Sequence, residues 1–344
     1  MKKIYNFAII GVGAVAEMHA TVIEKIENAK LIGVLSKSYE NAVKFATEKG
    51  CVAYKNFNEL LQDKLVDVVC VCSPSGLHAL QAVEIANAKK HLIIEKPMAI
   101  TDAQLKEIIT AVSKNNVKCE VISQFRFSNA IQKLKSYIDS GKLGKIYHAD
   151  FKLPYYRGQD YYDKGGWRGT IEMDGGGALM NQGIHGVDVI QYLMGGVKSV
   201  YADCRTMGRN IEVEDTANVL VEYNNGAIGV IQATTLAYSG FGKTIEVTGE
   251  KGRIVVKEDS IEVWDVMGES SVENSNKTVV KAGADPMAIP YTYHKIQFED
   301  LINAIETNST TMLNEVEGEI PVKIVLAIYK SSKENRRVYL NENC

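Results

Sequence analysis

The first third of the chain alternates short apolar runs with amphipathic stretches. The apolar runs lack the apolar–polar alternation of a half-exposed strand, which is typical of parallel strands covered on both faces. The stretches between the runs, such as SYENAVKFATEKG, repeat apolar residues at helical spacing. This succession of strands and helices predicts a doubly wound parallel sheet. The predicted strands are FAII (7–10), LIGVL (31–35), VDVVCVC (66–72), HLII (91–94) and VKCEVIS (117–123).

The pattern changes after residue 123. Longer segments with apolar–polar alternation follow, and turns such as NNG and GEKG separate them, as in a sheet of antiparallel hairpins. Two amphipathic helices, 291–307 and 314–334, end the chain. We predict an α/β domain over residues 1–123 and an α+β domain over 124–344, the latter built on a large, open, mostly antiparallel sheet.

Composition excludes some classes of function. Of the 344 residues, 46% are hydrophobic and 24% are charged, as in ordinary globular proteins. The net charge of −3 offers no basic field for a nucleic-acid backbone, and no apolar run reaches the roughly 20 residues that span a bilayer. The six cysteines form no CxxC pair, which favours reduced thiols. We therefore expect a cytoplasmic protein that binds neither nucleic acid nor membrane.

The first motif with chemical meaning follows the first strand. There the chain reads GVGAVA (11–16) and then enters a helix. Gly11 permits a tight turn, Gly13 lets a pyrophosphate approach the backbone, and Ala16 keeps the helix close to the strand. The pattern predicts a Rossmann-type site for NAD(P). The residues expected at its phosphates are Gly11, Gly13, Ala14, Val15 and Ala16.

The end of the second strand bears on the choice between NAD and NADP. An Asp or Glu at that position binds the ribose 2′-hydroxyl of NAD, whereas this chain has Ser36 and Lys37. A hydroxyl and a cation would accommodate a 2′-phosphate. We therefore predict that NADP(H) is preferred to NAD(H).

Two further loops follow predicted strands at their carboxyl ends, where open α/β sheets bind ligands. The loop SPSGLH (73–78) is stiffened by its proline, and EKP (95–97) directs a lysine into the crevice. The residues that we expect at the cofactor from these loops are Ser73, Pro74, Ser75, His78, Glu95 and Lys96.

The second domain contains three glycines directly before polar residues at helical spacing. The stretch reads DGGGALMNQGIHGVD (174–188), and an α-helix after the glycines would place Asn181, His185 and Asp188 on one face. The glycines would let the chain pass close to the nicotinamide. His185 and Asp188 also have a spacing that suits a metal, but the sequence offers no third ligand, so we predict no metal.

These motifs together resemble those of the Gfo/Idh/MocA oxidoreductase family, over essentially the whole chain. The resemblance implies a Rossmann domain, an open-sheet second domain, bound NAD(P), and hydride transfer at a sugar or cyclitol carbon. It also implies that Lys96 and His185 are catalytic. Many members have an aspartate four residues before that histidine, whereas this chain has Asn181, which cannot titrate.

A narrower resemblance concerns the segment YYDKGGWRGTIEMDGGGALMNQGIHGVD (161–188). It is similar to that of UDP-N-acetyl-glucosaminuronate 3-dehydrogenases, which also have asparagine before the histidine. The resemblance implies that Gln124, Arg126, Trp167 and Arg168 line the nicotinamide and substrate pocket. Arg168 would pair with a carboxylate or a diphosphate.

The implied chemistry requires a proton acceptor, because hydride leaves a carbinol carbon only if the hydroxyl proton leaves too. We predict that His185 has the leading acid–base role and Lys96 a supporting one. Asp188 would fix the histidine tautomer, and Asn181 would orient the substrate or His185 by hydrogen bonds. The reserve candidates for carrying the proton are Asp188, Tyr162 and a water chain.

Two alternative functions stay open at this point. One is a myo-inositol or other neutral polyol dehydrogenase, and the other is a non-catalytic NAD(P)-binding regulator. An antiparallel sheet with one face uncovered by helices exposes apolar surface that a second subunit usually buries. We therefore expect a homodimer or homotetramer formed through the second domain.

Overall fold

The computed structural model describes residues 3–269 and 290–342. The chain divides into two compact units. The first unit comprises Met1–Gln124 and Pro290–Glu319, and the second comprises Phe125–Ile289 and Ile320–Cys344.

One segment lies in a different unit from the one predicted for it. Residues 290–319 belong to the first unit, whereas the predicted second domain covered all of 124–344. The cause is the apolar face of the helix at 291–307. Its Phe298 is fully buried and stacks on Phe7, with ring centroids 5.8 Å apart. This helix therefore completes the core of the first unit.

The first unit is a parallel sheet with helices between its strands. Its elements are β1 (Tyr5–Ile10), α1 (Ala14–Glu24), β2 (Ala29–Leu35), α2 (Tyr39–Lys49), β3 (Val52–Tyr54), α3 (Phe57–Gln62), β4 (Val68–Val71), α4 (His78–Asn87), β5 (His91–Ile94), α5 (Asp102–Asn115) and β6 (Cys119–Val121). The strand order is β3-β2-β1-β4-β5-β6, and all pairs are parallel. The order reverses between β1 and β4, so the ligand-binding crevice opens at their carboxyl ends. The predicted doubly wound sheet is confirmed.

The second unit is a large sheet with helices on one side. The remaining helices and strands of the described residues are α6 (Asn129–Asp139), β7 (Ile146–Pro154), α7 (Gln159–Asp163), α8 (Ile184–Met194), β8 (Val197–Arg205), β9 (Thr216–Tyr223), β10 (Ile228–Thr234), β11 (Thr244–Gly249), β12 (Gly252–Lys257), β13 (Ser260–Val266), α9 (Tyr291–Thr307), α10 (Glu315–Glu334) and β14 (Val338–Tyr339). The strand order is β13-β12-β11-β7-β10-β9-β8-β14. Among the described strands of this sheet only β7 and β10 pair in parallel, which confirms the prediction of a mostly antiparallel sheet.

The two faces of this sheet differ. On the inner face α8 lies so close to β7 that a Cβ on Gly186 would come within 1.9 Å of the Phe151 ring. On the outer face, apolar side chains remain exposed at Tyr201, Leu220 and Ile228. No helix in the described ranges is long and apolar enough to cross a membrane.

Candidate active site

The two glycines between β1 and α1 are required for different reasons. Gly11 has φ +98°, and a Cβ there would lie 2.4 Å from the carbonyl oxygen of Cys72. By contrast, a Cβ on Gly13 would meet no protein atom within 4 Å. Gly11 therefore serves the packing of the turn against the end of β4. Gly13 leaves open space at the N-terminus of α1, where a pyrophosphate would find unpaired N–H groups.

The loop after β2 presents the residues predicted to choose between NAD and NADP. Ser36 is half-buried and Lys37 is exposed, and the next residue, Ser38, caps α2 by accepting from the N–H of Asn41 at 3.3 Å. The loop is tied to the fingerprint turn because the Gly11 N–H donates to the Leu35 carbonyl at 2.8 Å. It therefore lies at the edge of the crevice.

His78 connects the two loops that follow β4 and β5. Its Nε2 lies 2.8 Å from the carbonyl oxygen of Ser73, and its Nδ1 lies 2.7 Å from that of Pro97. Both ring nitrogens contact backbone carbonyls, and the side chain is buried. His78 can therefore affect cofactor binding only by positioning these two loops. Ser73 also donates its hydroxyl to Gln81 Oε1 at 2.6 Å, which fixes the first loop.

Glu95 supports the backbone under Lys96. Its Oε1 lies 3.0 Å from His19 Nε2, and its Oε2 accepts the N–H of Lys96 at 3.1 Å. Burial would raise the pKa of Glu95, but the hydrogen bond and charge of His19 outweigh it and hold this pKa at about 2. The carboxylate is therefore ionised. Lys96, which is partly exposed, extends from this fixed point at the carboxyl end of β5.

His294, on α9, joins His19 and Glu95 in a buried group of three potential metal ligands. Burial lowers the pKa of His294 to about 4, and the charge of Glu95 opposes that shift, so its imidazole is neutral. No motif in the sequence predicted this group, because its members lie in three segments far apart in the chain.

In the second unit, the glycine run lies against other backbone. A Cβ on Gly177 would come within 1.9 Å of the Glu214 carbonyl oxygen, and one on Gly176 within 2.1 Å of the Tyr329 hydroxyl. The Glu214 carboxylate accepts the N–H groups of Gly177 (3.0 Å) and Leu179 (2.7 Å) and the hydroxyl of Tyr329 (2.9 Å). The absence of side chains at these glycines is therefore required by packing inside the unit.

The prediction of one continuous α-helix after the glycines is wrong. Residues Ala178–Gly183 form a π-helical turn, and α8 begins only at Ile184. The carbonyl of Gly177 accepts from the N–H groups of both Asn181 and Gln182, so this turn takes one residue more than an α-helical turn. Asn181 and His185 are consequently not at α-helical i, i+4 positions.

Two polar side chains of this segment reach open space. Every residue between Gly176 and Gln191 is buried except Gln182 and His185. Asn181 is turned inward, where its amide donates to Asp174 Oδ1 and its Oδ1 accepts from Gln182 Nε2 at 2.8 Å. His185 and Gln182, and not Asn181, are therefore the residues of this segment that can meet a ligand directly.

Asp188 and Arg126 bind each other. Arg126 Nε donates to Asp188 Oδ2 at 2.8 Å and its NH2 group to Oδ1 at 2.5 Å, with both side chains buried. Phe125 precedes this arginine, and its ring is perpendicular to that of His185, with centroids 5.2 Å apart. Phe125 thus contacts α8 at His185, and Arg126 binds the same helix at Asp188, about one turn later. Gln124, just before it, is also buried.

A cluster of arginines and aromatic rings lies near the same helix. The Arg168 guanidinium lies 4.6 Å from the Tyr161 ring centroid and 5.1 Å from that of Trp167. Arg157 lies 5.5 Å from the same Tyr161 ring, and Arg209 lies over Tyr156 at 5.3 Å. We call these six residues, Arg157, Arg168, Arg209, Tyr156, Tyr161 and Trp167, the arginine–aromatic cluster.

Hydrogen bonds place this cluster relative to the helix of His185. Gln182 donates to the Tyr161 hydroxyl at 3.0 Å. On the other side, the Asp215 carboxylate accepts the N–H groups of Met207 (2.9 Å), Gly208 (2.8 Å) and Arg209 (3.0 Å), which fixes the turn that carries Arg209. The sequence reasoning missed both Glu214 and Asp215, although two adjacent acids before a predicted strand were a signal.

Tyr162 does not fit its predicted role as a proton carrier. It is buried, and its hydroxyl donates to Thr235 Oγ1 at 3.0 Å. Burial raises the pKa of Tyr162 to about 12, so the phenol keeps its proton at neutral pH.

Comparison with known protein families matches each half of the chain to a domain of one family. The description "Oxidoreductase family, NAD-binding Rossmann fold" matches residues 5–123, and "GFO/IDH/MocA C-terminal domain" matches residues 131–255. The resemblance inferred from the sequence motifs is thereby confirmed.

Solved structures and curated relatives are similar over nearly the whole chain. The WlbA dehydrogenase from Chromobacterium violaceum, in complex with NADH and UDP-GlcNAcA, is 31% identical, with a TM-score of 0.88 over 98% of this chain and 96% of that one. WlbA from Bordetella pertussis, with the same ligands, is 29% identical, with a TM-score of 0.89 over 99% and 100%. Myo-inositol 2-dehydrogenase from Thermotoga maritima is 28% identical over 98% of this chain and 99% of its own. With its fold, its two matched domains and these relatives in agreement, the chain belongs to the Gfo/Idh/MocA family of oxidoreductases and has an NAD-binding Rossmann domain.

Proposed function

We propose that this protein transfers hydride between NAD(P) and a ring carbinol carbon of a nucleotide-linked sugar uronate. When bound, the nicotinamide supplies the hydride acceptor or donor. His185 takes the hydroxyl proton in the oxidation direction and returns it in the reverse direction, and Lys96 supports this transfer. Their partial exposure on otherwise buried supports suits these roles. The two WlbA structures, which hold NADH and UDP-GlcNAcA, support the substrate class.

The substrate class is inferred mainly from the positive charge of the arginine–aromatic cluster. Arg168 donates to the Lys164 carbonyl, and Arg209 to the carbonyls of Arg157 and Gly208. Within the described part of the chain neither Arg168 nor Arg209 pairs with a carboxylate, and Arg168 Nε is buried without a hydrogen-bond partner. Guanidiniums in this state favour a carboxylate or diphosphate, which a neutral polyol does not offer.

The remaining residues take supporting roles in this proposal. Asp188 and Arg126 fix α8 under His185, and Asn181 fixes Gln182 and through it Tyr161. The residues that we assign to the cofactor, directly or through their loops, are Gly11, Gly13, Ala14, Val15, Ala16, Ser36, Lys37, Ser73, Pro74, Ser75, His78, Glu95, Lys96, Gln124 and Trp167.

The proposal is tested by following reduced nicotinamide with three candidate substrates. We expect turnover with UDP-GlcNAcA and a value of kcat/KM at least about tenfold lower with UDP-GlcNAc, which lacks the carboxylate; tenfold corresponds to roughly 1.4 kcal/mol. Myo-inositol should give no turnover. Turnover of myo-inositol without turnover of either nucleotide sugar would replace the proposal.

A neutral polyol dehydrogenase is the second candidate, because the similarity to the Thermotoga maritima myo-inositol 2-dehydrogenase covers both chains almost completely. The same assay decides between the two. A chain that binds NAD(P)⁺ but forms NAD(P)H with none of the three sugars would instead be a non-catalytic regulator.

Gly13 provides a test of the cofactor site that is independent of substrate. Since a Cβ at Gly13 meets no protein atom, Gly13→Ala should leave the thermal midpoint unchanged. It should weaken NADH binding by about tenfold or more, because the methyl group occupies the space proposed for the pyrophosphate. Calorimetric titration with NADH measures this. Unchanged affinity would place the phosphates elsewhere.

For the cofactor, we propose a preference for NADP(H), with Ser36 and Lys37 at the 2′-phosphate. Ser36→Asp should reverse the preference, since an aspartate repels the phosphate and accepts from the 2′-hydroxyl of NAD. Parallel titrations with NADH and NADPH give the ratio. If the unchanged protein binds NADH more than tenfold better, or about 1.4 kcal/mol, the proposal for this loop is contradicted.

We also propose that two or four copies of the chain assemble through the outer face of the second-unit sheet. Leu220 and Ile228 lie on adjacent strands of this face and are 56% and 59% exposed. Sedimentation at micromolar concentration should show a dimer or tetramer, and Leu220→Glu with Ile228→Glu should release the 37.9 kDa monomer. A monomer before any substitution would contradict the assembly.

A further inference from the structure

A buried lysine of the second unit lies next to the aromatic neighbour of His185. Lys243 directly precedes β11, and its side chain is 7% exposed. Both oxygens of Glu258 bind it: Oε2 accepts from the ammonium at 2.8 Å, and Oε1 accepts the Lys243 N–H at 3.0 Å. Burial lowers the pKa of Lys243, and the Glu258 carboxylate opposes this shift. The chain thus provides a dedicated carboxylate for one buried ammonium.

The backbone around this ion pair is arranged to keep it. Glu258 has φ +52°, in the left-handed region that residues other than glycine and asparagine seldom adopt. Gly242 makes room, since a Cβ there would lie 2.9 Å from Glu258 Cγ. Glu258 is the first residue of the two-residue turn between β12 and β13, so this turn fixes its carboxylate beside Lys243.

The ammonium contacts Phe125. Its nitrogen lies 3.7 Å from the ring centroid, a desolvated cation–π contact. The same ring is perpendicular to the His185 imidazole, at an interplanar angle of 81°. Arg126, the next residue, is held by Asp188. Phe125 is thus fixed by its own side chain and by the neighbouring ion pair, and it limits the rotation of the His185 ring.

We propose that Lys243 is a positioning residue for His185 and that it acts through Phe125. This inference rests on the acid–base role proposed above for His185. Lys243 holds the Phe125 ring in place, and the ring keeps the imidazole in the orientation that meets the substrate hydroxyl. Loss of the cation lets the ring tilt, and a misoriented base is less effective although it is still present.

The test compares three variants in steady-state kinetics. Lys243→Met removes the cation, and Phe125→Leu removes the ring but leaves the Lys243–Glu258 pair. We expect each to lower kcat by about tenfold with the KM for cofactor unchanged. The double variant should be no slower than either single one. The matched control is Lys133→Met, because Lys133 is exposed and lies 4.1 Å from the Trp264 centroid in another cation–π contact. Its kcat should not change.

The His185→Ala background separates positioning from other roles. There, neither Lys243→Met nor Phe125→Leu should lower the remaining rate. A further tenfold loss in that background would mean that Lys243 acts on the substrate itself, which overturns the inference. Wild-type kcat in Phe125→Leu also overturns it, even if Lys243→Met does not fold. Full activity of His185→Ala would instead refute the proposed role of His185.

Discussion

Turnover should fall by about 10²- to 10⁴-fold when Lys96 is replaced with methionine, the usual range for the loss of one acid–base group. Methionine keeps the length and the apolar stem but removes the charge and the transferable proton. Cofactor affinity should change little, because the phosphates are assigned to the turn at 11–16. Rates at saturating substrate and a separate NADH titration measure the two effects. Lys106→Met, at an exposed lysine of α5, should leave both values unchanged.

His185→Ala should give a loss of similar size. The double variant should lose much less than the product of the two single losses, because the proposal assigns both residues to one proton transfer. If both single variants retain more than a tenth of the rate, the proton is carried by another group. The arrangement of Tyr162, which is buried and bound to Thr235, then favours a water chain over the phenol.

The parts of the site that the sequence revealed are encoded by neighbouring residues. The apolar run His91–Ile94 and the EKP motif are adjacent, so the strand and the lysine at its carboxyl end could be inferred together. The same holds for β1 and its glycine turn. In the second unit, apolar–polar alternation predicted a sheet of antiparallel strands, and β9 shows why this worked, since one face of that strand is buried.

The parts that the sequence did not reveal depend on residues far apart in the chain. Glu214 binds the N–H groups of Gly177 and Leu179, 37 and 35 residues away, and the adjacent acids Glu214 and Asp215 do not by themselves show which groups they bind. Asp188 was predicted to fix the tautomer of His185 from its spacing alone. It is bound by Arg126, 62 residues earlier. The periodicity of apolar residues shows which face of α8 is buried, but it does not show which side chains from other elements contact that face.

The positions of β13 and α9 in the fold could likewise not be predicted from the local sequence. The segment SIEVWDV departs from strict alternation at Val263 and Trp264, because its register with β12 shifts there, and it follows a tight turn at Glu258 that has no glycine or asparagine to mark it. The apolar face of α9 was visible in the sequence. That this face completes the first unit follows only from the contact between Phe298 and Phe7.

The second prediction with a large expected effect concerns the glycine run 175–177 and the free energy of unfolding of the second unit. The cost that we expect for Gly177→Ala is the steric cost of an added Cβ. The added Cβ would lie 1.9 Å from the carbonyl oxygen of Glu214, and that carbonyl also accepts the Ala178 N–H at 2.9 Å. A backbone atom held by a hydrogen bond cannot yield as a flexible side chain does. We expect the substitution to destabilise the second unit by about 3 kcal/mol, at the upper end for overpacking.

The measurement can be confined to the unit concerned, because both tryptophans, Trp167 and Trp264, lie within the second unit. Urea unfolding followed by tryptophan fluorescence should therefore show a lower midpoint for Gly177→Ala. Gly226→Ala is the control: its Cβ meets no atom within 4 Å but its φ is +85°, so it costs only the backbone term of roughly 1 kcal/mol. Equal midpoints for the two variants would show that the backbone around Gly177 can shift to accommodate a methyl group. The close approach to Glu214 would then not explain the three glycines, and the hydrogen bonds that the Gly177 and Leu179 N–H groups donate to the Glu214 carboxylate would have to be tested with Glu214→Gln.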